Sequence, residues 1–256
     1  MRHFRFRTAL AALSLAALGA CATPPAPVDR AALYAAALQS PNRSEQDRAQ
    51  DERRKAGEVL AFFQAAPGQT VFEIEAGGGY WTELLASAVG PEGRVVMQNP
   101  PGFMQFVGEE VASRLPRLPT VRLSLSLFDA LDAQDASVDL VTWVQGPHEL
   151  YYRPEGASLG DPEKSYQEIF RILRPGGRFV VIDHAAVPGA PETTGNDLHR
   201  IDPQIVIAMA ERAGFVLEQR SEVLANPNDA RTLLVFDPLI RGHTDQFALR
   251  FSKPEA

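Results

Sequence analysis

Three histidines in the second half of the chain could accept a proton or bind a metal ion. His148 follows a predicted strand, His184 follows the next one, and His199 lies in the loop before a predicted helix. Imidazole is a common proton acceptor near neutral pH, and with nearby carboxylates it also suits zinc or iron. No compact ligand motif such as His-x-x-x-His is present, so the spacing favours acid–base chemistry over a metal site.

The run of three glycines at residues 77–79 is a second candidate binding element. A short β-type segment, residues 71–74, precedes it, and a helical run beginning at Tyr80 follows. A strand, a tight turn and a helix N-terminus together present backbone N–H groups to a ligand. Glycine suits such a turn because a Cβ would hold the ligand away and because φ is often positive.

Strands and helices alternate along the chain and must position these residues. Repeated strand–helix units with apolar strands predict an α/β fold, in which a parallel sheet is covered on both faces. Ligands then bind beyond the carboxyl ends of the strands, where all three histidines would lie. The predicted strands are residues 71–75, 94–98, 121–125, 138–144, 178–183, 215–223 and 246–251, and the predicted helices are residues 44–66, 80–89, 103–114, 162–173 and 203–213.

The composition is that of an ordinary globular protein. The 256 residues are 45% hydrophobic and 22% charged, with a net charge of −7. This length favours one domain with a sizeable core. A nucleic-acid partner is not expected, because no clustered basic face is evident. The oligomeric state cannot be read from the sequence.

The first 20 residues have the pattern of an export signal. A basic segment precedes an apolar run, residues 9–20, that is too short to span a bilayer. Residues 18–21, Leu-Gly-Ala-Cys, resemble the lipobox of bacterial lipoproteins, in which the cysteine is lipidated. Ordinary signal cleavage after Ala22 is the alternative. We expect a signal peptide at residues 1–20, a lipidated Cys21 with a tether over residues 21–43, and one domain over residues 44–256. Within the tether, residues 30–38 could form a short helix.

A lipidated Cys21 would attach the protein to the bacterial cell envelope without spanning the membrane. Cys21 is the only cysteine, so the fold would contain no disulfide. The residue after it is Ala22 rather than aspartate, which by resemblance to lipoprotein sorting rules favours the outer membrane, facing the periplasm.

Four segments resemble motifs of the class I S-adenosylmethionine-dependent methyltransferases. Residues 73–79 resemble the motif acid-x-Gly-x-Gly-x-Gly, and residues 135–142 resemble the family's lead into strand 4. Residues 169–183 resemble its helix, turn and strand 5, and residues 213–215 its entry to strand 6. The resemblance implies a Rossmann-like, seven-stranded, mostly parallel sheet in the order 3-2-1-4-5-7-6, with helices on both faces and strand 7 antiparallel.

The resemblance also implies S-adenosylmethionine as the cofactor and assigns residues to it. Gly77 and Gly79 would approach its methionine part, and Glu73 would help bind its ammonium group. At the end of strand 2, Gln98 and Asn99 occupy the position of the family's ribose-binding group. Asp129 occupies the position that contacts adenine, although it could equally be a plain turn residue.

By the same resemblance the reaction would be methyl transfer to a small-molecule acceptor at the carboxyl edge of the sheet. Methyl transfer is an in-line displacement that needs positioning, plus a base if the acceptor is a hydroxyl. His148 is the first choice for that base, with His184 and His199 beside it. Tyr151 or Tyr152 is the expected substrate contact. The sequence does not identify the acceptor.

Glu75 departs from the family's motif, because it stands where the first glycine is expected. A carboxylate there could repel the cofactor's carboxylate, attract its sulfonium or ammonium group, or point away from it. The usual acidic ribose clamp is also absent. Two alternatives therefore stay open: a methyltransferase-like lipoprotein that has lost catalysis and binds a ligand or partner, and a metal-dependent envelope enzyme using His148, His184 and His199.

Overall fold

The computed structural model of the protein describes residues 28–153 and 156–255. The predicted signal peptide, Cys21 and the tether up to residue 27 lie outside the described residues. Within the described part of the chain, no helix has both the length and the apolar character needed to cross a membrane.

Seven strands form one sheet in the order β3-β2-β1-β4-β5-β7-β6, which confirms the predicted topology. Strands β1 to β5 are parallel, and β7 pairs antiparallel with both β5 and β6. The strands are β1 Thr70–Ile74, β2 Arg94–Asn99, β3 Val121–Leu125, β4 Val138–Val144, β5 Leu173–His184, β6 Val216–Ser221 and β7 Gln246–Ser252.

Eight α-helices accompany the sheet in the described residues. They are α1 Arg30–Leu38, α2 Glu45–Arg48, α3 Ala56–Phe63, α4 Tyr80–Val89, α5 Met104–Arg114, α6 Pro162–Ile172, α7 Thr194–Leu198 and α8 Pro203–Ala213. Local signals explain several ends. Asp161 and Asp202 cap the N-termini of α6 and α8, each with proline at the next position. Gly214 ends α8 with a φ of 105°.

Apolar side chains alternate between two cores, one on each face of the sheet. Val71 and Leu140 pack with α1, α3 and α4, whereas their neighbours Phe72 and Val141 pack with α6 and α8. A side-chain period of two explains this alternation. Because both faces are covered, ligands have access mainly at the ends of the strands.

Two predicted boundaries near the N-terminus are wrong. The short helix predicted at residues 30–38 is confirmed as α1, but it does not belong to the tether, because it buries Tyr34 and Ala37 in the core. The domain therefore includes α1. The single helix predicted over residues 44–66 is divided into α2 and α3, because Lys55 adopts a left-handed conformation with a φ of 46°.

Candidate active site

The turn after β4 carries His148 and Glu149 on a short 3₁₀ helix, Pro147–Leu150. Asp183, at the end of the neighbouring strand β5, fixes this turn. Its carboxylate accepts the backbone N–H of His148 at 2.9 Å and lies 2.7 Å from Nδ1 of the same residue. Because a carboxylate only accepts hydrogen bonds, Nδ1 carries the hydrogen and Nε2 points away from Asp183.

His199 approaches from the other side, at the C-terminus of α7. Its φ of 51° is left-handed, which is unusual for a residue with a side chain. The following backbone is tied to β5, because Ile201 donates an N–H to the carbonyl of His184. Gly195 in α7 lies against the carbonyl of His148 so closely that a Cβ would overlap with it. The segment is therefore held in place against the 3₁₀ helix.

His148, Glu149 and His199 converge at one point, and we call them the His–Glu–His cluster. Nε2 of His148 lies 3.2 Å from Nδ1 of His199 and 3.3 Å from Oε1 of Glu149. Nδ1 of His199 lies 3.2 Å from the same glutamate oxygen. The three atoms thus form a nearly equilateral triangle.

The charges of this cluster change the role expected for His148. Burial lowers its pKa, but the charges of Asp183 and Glu149 outweigh burial and raise it to about 10. Burial would raise the pKa of Glu149, yet hydrogen bonds from His148 and His199 lower it to about 2. Without a further ligand, His148 is thus already protonated at neutral pH, and the prediction that it acts as the base does not fit this arrangement.

His184 and Tyr151 lie beside the cluster without joining it. Nδ1 of His184 is 2.7 Å from the hydroxyl of Thr244, and burial lowers the pKa of His184 to about 3, so the ring is neutral. Burial raises the pKa of Tyr151 to about 12, so its hydroxyl keeps its proton. The ring of Tyr152 packs against the ring of His199, with centroids 4.6 Å apart.

Glu75 is directed toward the same edge of the sheet. Its φ is 53°, and its Oε2 accepts a hydrogen bond from Nε1 of Trp143 at 3.1 Å. Gly146 makes room for this pair, because a Cβ there would overlap with both side chains. Burial raises the pKa of Glu75 well above its usual value, and the charge of Glu149 adds to the effect. The departure from the glycine motif therefore faces the His–Glu–His cluster.

The glycine turn has the conformation that the sequence predicts. Gly77 and Gly79 have φ values of 57° and 92°. Apart from the adjacent residues of the turn, no atom of the described residues lies within 4 Å of the position that a Cβ on Gly77 would occupy. Asn99 supports the turn, because its side chain accepts the N–H of Gly77 at 2.9 Å and donates to its carbonyl at 3.0 Å.

The side chains of the other residues assigned to the cofactor already form hydrogen bonds within the protein. The amide of Gln98 accepts the N–H of Glu75 and donates to the carbonyl of Ser126. The carboxylate of Asp129 accepts the N–H of Asp161. The carboxyl group of Glu73 is buried beneath α4, where it accepts a hydrogen bond from the hydroxyl of Thr82.

Four further residues shape this edge, and the sequence indicates only two of them, Glu149 and Asp183, as carboxylates next to the histidines. Glu149 and Asp183 adjoin two of the histidines in the sequence, and that adjacency was the available signal. Arg114 donates to the carbonyl of Gly78 at 2.7 Å, and the carboxylate of Glu110 lies against the Cα of Gly78. Nothing in the sequence pattern singles out Arg114 or Glu110, since both belong to an ordinary charged helix.

Comparison with known proteins agrees with this architecture. The family model of the ubiE/COQ5 methyltransferase family matches residues 50–194. A ubiquinone/menaquinone biosynthesis C-methyltransferase UbiE from Enterobacter sp. (strain 638) is 25% identical over 189 residues, which cover 74% of this chain and 66% of that protein. The corresponding protein of Hydrogenovibrio crunogenus is 29% identical over 121 residues, 47% of this chain and 44% of that protein. The chain thus spans about half to two thirds of the length of these relatives.

A solved structure shares the fold at low sequence identity. It is the geranyl diphosphate C-methyltransferase from Streptomyces coelicolor A3(2), in complex with Mg²⁺, geranyl diphosphate and S-adenosyl-L-homocysteine. It superimposes with a TM-score of 0.59 at 14% identity, covering 85% of this chain and 87% of that chain. The family model covers more than half of the sequence and includes the glycine turn and the His148–Glu149 turn. The chain therefore belongs to the ubiE/COQ5 methyltransferase family.

Proposed function

We propose that this protein is an S-adenosylmethionine-dependent methyltransferase that acts on a small-molecule acceptor. The observation that carries the proposal is the glycine turn between β1 and α4, inside the region that matches the family model. The relatives and the structural neighbour support the same reaction class, since they are methyltransferases by name.

The glycine turn fits the methionine end of the cofactor. The N–H of Gly78 has no hydrogen-bond partner among the described residues, and α4 begins directly behind it without a side-chain cap. A helix N-terminus with unpaired N–H groups favours an anion such as the cofactor's carboxylate. The open space above Gly77 would let such a group approach the backbone.

Around the adenosine end of the cofactor, fewer side chains are free to form hydrogen bonds with it. Gln98 and Asn99 are fully buried, and their amides are hydrogen-bonded within the protein. Asp129 is hydrogen-bonded to the backbone of the loop before α6. A bound nucleoside would therefore rely on backbone groups, or would have to replace these hydrogen bonds.

The acceptor would bind at the same edge, next to the histidines. Tyr152 borders His199 there, and Tyr151 lies on the adjoining turn. Glu75 would supply a carboxyl group between the glycine turn and the cluster. His148, His184 and His199 thus contribute to the acceptor side, with His148 positioned by Asp183 rather than free to take a proton.

The proposal includes attachment to the bacterial cell envelope through a lipid on Cys21, with the domain facing the periplasm. The support is the sequence of residues 1–21, a basic segment and an apolar run that end in a lipobox-like motif. Labelling cells with a palmitate analogue checks this directly. The wild-type protein should be labelled and the Cys21→Ser variant should not; equal labelling of the two would contradict the anchor.

The activity is tested with S-adenosylmethionine labelled in its methyl group, incubated with the full-length protein and an envelope extract. We expect label in a small-molecule product. The Gly77→Leu variant should lose this transfer, because the side chain would occupy the open space above the turn. Gly68→Leu is a matched control, since Gly68 also has a positive φ and open surroundings but lies before β1, at its other end.

A second candidate is a domain that keeps the fold but has lost catalysis and binds a ligand or a partner. Three observations favour it: the engaged amides of Gln98 and Asn99, the Glu110 carboxylate against Gly78, and Glu75 in the motif. Methyl transfer that depends on Gly77 would exclude this candidate. If the protein shows neither methyl transfer nor cofactor binding, this second candidate replaces the methyltransferase proposal.

A further inference from the structure

The His–Glu–His cluster has the geometry of a metal site. Its three facing atoms, one from each residue, are 3.2 to 3.3 Å apart. Zinc binds histidine nitrogen and carboxylate oxygen at about 2.0 to 2.2 Å, so neighbouring ligand atoms of a tetrahedral site are roughly 3.3 Å apart. All three atoms could therefore contact one ion with little rearrangement.

The cluster lies among buried carboxyl groups that have no lysine or arginine partner in the described part of the chain. The carboxyl groups of Glu75, Glu149 and Asp183 gather at this edge, and among the described residues no lysine or arginine forms an ion pair with any of them. Oε2 of Glu149 is also buried without a hydrogen-bond partner in the described structure. A buried carboxylate oxygen normally has a hydrogen-bond partner or coordinates a metal ion, and an ion bound to Glu149 would supply that partner.

Asp183 orients the ring of His148, as a carboxylate behind a metal-bound histidine does in many metal sites. Metal-bound histidines almost always donate their other ring N–H to a carboxylate, carbonyl or water, which fixes the tautomer. The 2.7 Å contact between Nδ1 of His148 and Asp183 leaves Nε2 facing the other two residues. We propose that His148, Glu149 and His199 bind one divalent transition-metal ion, with Asp183 orienting His148.

The ligand set indicates which ions fit and leaves room for a further ligand. Two imidazoles and one carboxylate suit zinc or ferrous iron. The side chains of His199 and Glu149 keep 12% and 11% of their surface exposed, so water or a substrate oxygen could reach the ion. Three protein ligands with an open position are typical of catalytic rather than structural zinc sites.

The left-handed backbone of His199 supports a binding role. Such strain persists only when the surrounding structure enforces it, and it is concentrated at functional sites. Here Gly195 and the bridge between Ala185 and Ile201 hold the segment. The cluster is therefore built from rigid elements, as a preformed ion site requires.

Zinc titration of the full-length protein tests this proposal. The protein is purified without a polyhistidine tag, stripped with a chelator, dialysed, and titrated with Zn²⁺ in a calorimeter. We expect one ion per chain and a higher unfolding temperature with zinc than without it. Substitution with Co²⁺ should add visible absorption bands typical of nitrogen and oxygen ligands in a four- or five-coordinate site.

His199→Ala and Glu149→Gln should each weaken Zn²⁺ binding at least 100-fold, while His243→Ala should bind as the wild type does. His243 is the matched control because it is a histidine on an exposed loop away from the cluster. Circular dichroism of the stripped variants shows whether they fold. The proposal is overturned if the wild type binds neither Zn²⁺ nor Co²⁺ stoichiometrically, or if folded variants of both ligands bind as tightly as the wild type.

Discussion

The imidazole of His148 lies 2.7 Å from the carboxylate of Asp183, and this contact joins the ends of β4 and β5. The same carboxylate also accepts the backbone N–H of His148 and that of His184. Asp183 therefore fixes both the ring and the backbone of the turn that carries the His–Glu–His cluster. It acts through His148 and is a positioning residue.

Asp183→Asn is expected to weaken Zn²⁺ binding by roughly 10- to 100-fold without abolishing it, because the amide orients His148 less firmly. Calorimetric titration measures the change, and the Co²⁺ spectrum of the variant should shift in its band positions. A purely structural role for Asp183 would lower the unfolding temperature but leave the spectrum of the bound ion as in the wild type. An unchanged affinity and spectrum would contradict the positioning role.

Glu73 should make the protein less stable as the pH rises. Burial raises the pKa of its carboxyl group from the usual 4.5 to about 8. The unfolded chain loses this proton near pH 4.5 and the folded chain near pH 8, so stability falls between these values. The loss is up to about 5 kcal/mol, at about 1.4 kcal/mol per pKa unit.

Glu73→Gln removes this titration and should reduce the loss of stability between pH 4.5 and 8. Urea unfolding at several pH values gives the comparison. Glu92→Gln, at an exposed turn, is the control and should follow the wild type. Parallel pH profiles for wild type and Glu73→Gln would show that Glu73 does not stay protonated in the fold.

Arg114 connects three elements through buried ion pairs. Its guanidinium pairs with Asp47 at 2.8 Å and with Glu83, and its Nε donates to the glycine turn. Arg114→Ala leaves the buried carboxylate of Asp47 without its ion-pair partner and leaves Glu83 with Arg117 alone, and loss of a buried partner typically costs about 3 to 5 kcal/mol. Arg122→Ala breaks the exposed pair with Asp132 and should cost about 1 kcal/mol or less. Equal losses in urea unfolding would contradict this difference.

Gly146 is required for the contact between Glu75 and Trp143. A methyl group there would overlap with both side chains, so Gly146→Ala should cost about 1 to 3 kcal/mol and alter tryptophan fluorescence. Gly102→Ala is the control, because the added Cβ would have no atom within 4 Å in the described part of the chain, apart from its local backbone and adjacent residues. A Gly146→Ala protein as stable as the control would mean that Glu75 and Trp143 move apart at little cost.

The sheet was predictable because its signals are local. Strands β3 and β4 and helix α4 have the predicted bounds, since apolar periodicity and Gly90 mark them in the sequence. The resemblance supplied the strand order. The break between α2 and α3 was not predictable, because Lys55 carries no turn signal and its left-handed conformation depends on packing.

The site was predicted only in part, because it depends on side-chain direction. The sequence places His148, His184 and His199 at one edge, but not which of them meet. Glu149 replaces His184 in the cluster, since the turn after β4 directs it toward His199 while His184 turns to Thr244. The hydrogen bonds that occupy the amides of Gln98 and Asn99 were likewise not predictable, because they form only where the ends of β1 and β2 lie side by side.

The measurement that tests the central claim most directly is a calorimetric titration of the full-length protein with S-adenosylhomocysteine. We predict saturable binding at one site per chain, lost in Gly77→Leu and retained in Gly68→Leu. Both glycines have positive φ and open surroundings, so the two variants carry similar backbone strain and differ in their distance from the turn. Absence of binding by the wild type, or equal binding by both variants, would contradict a cofactor site at the glycine turn.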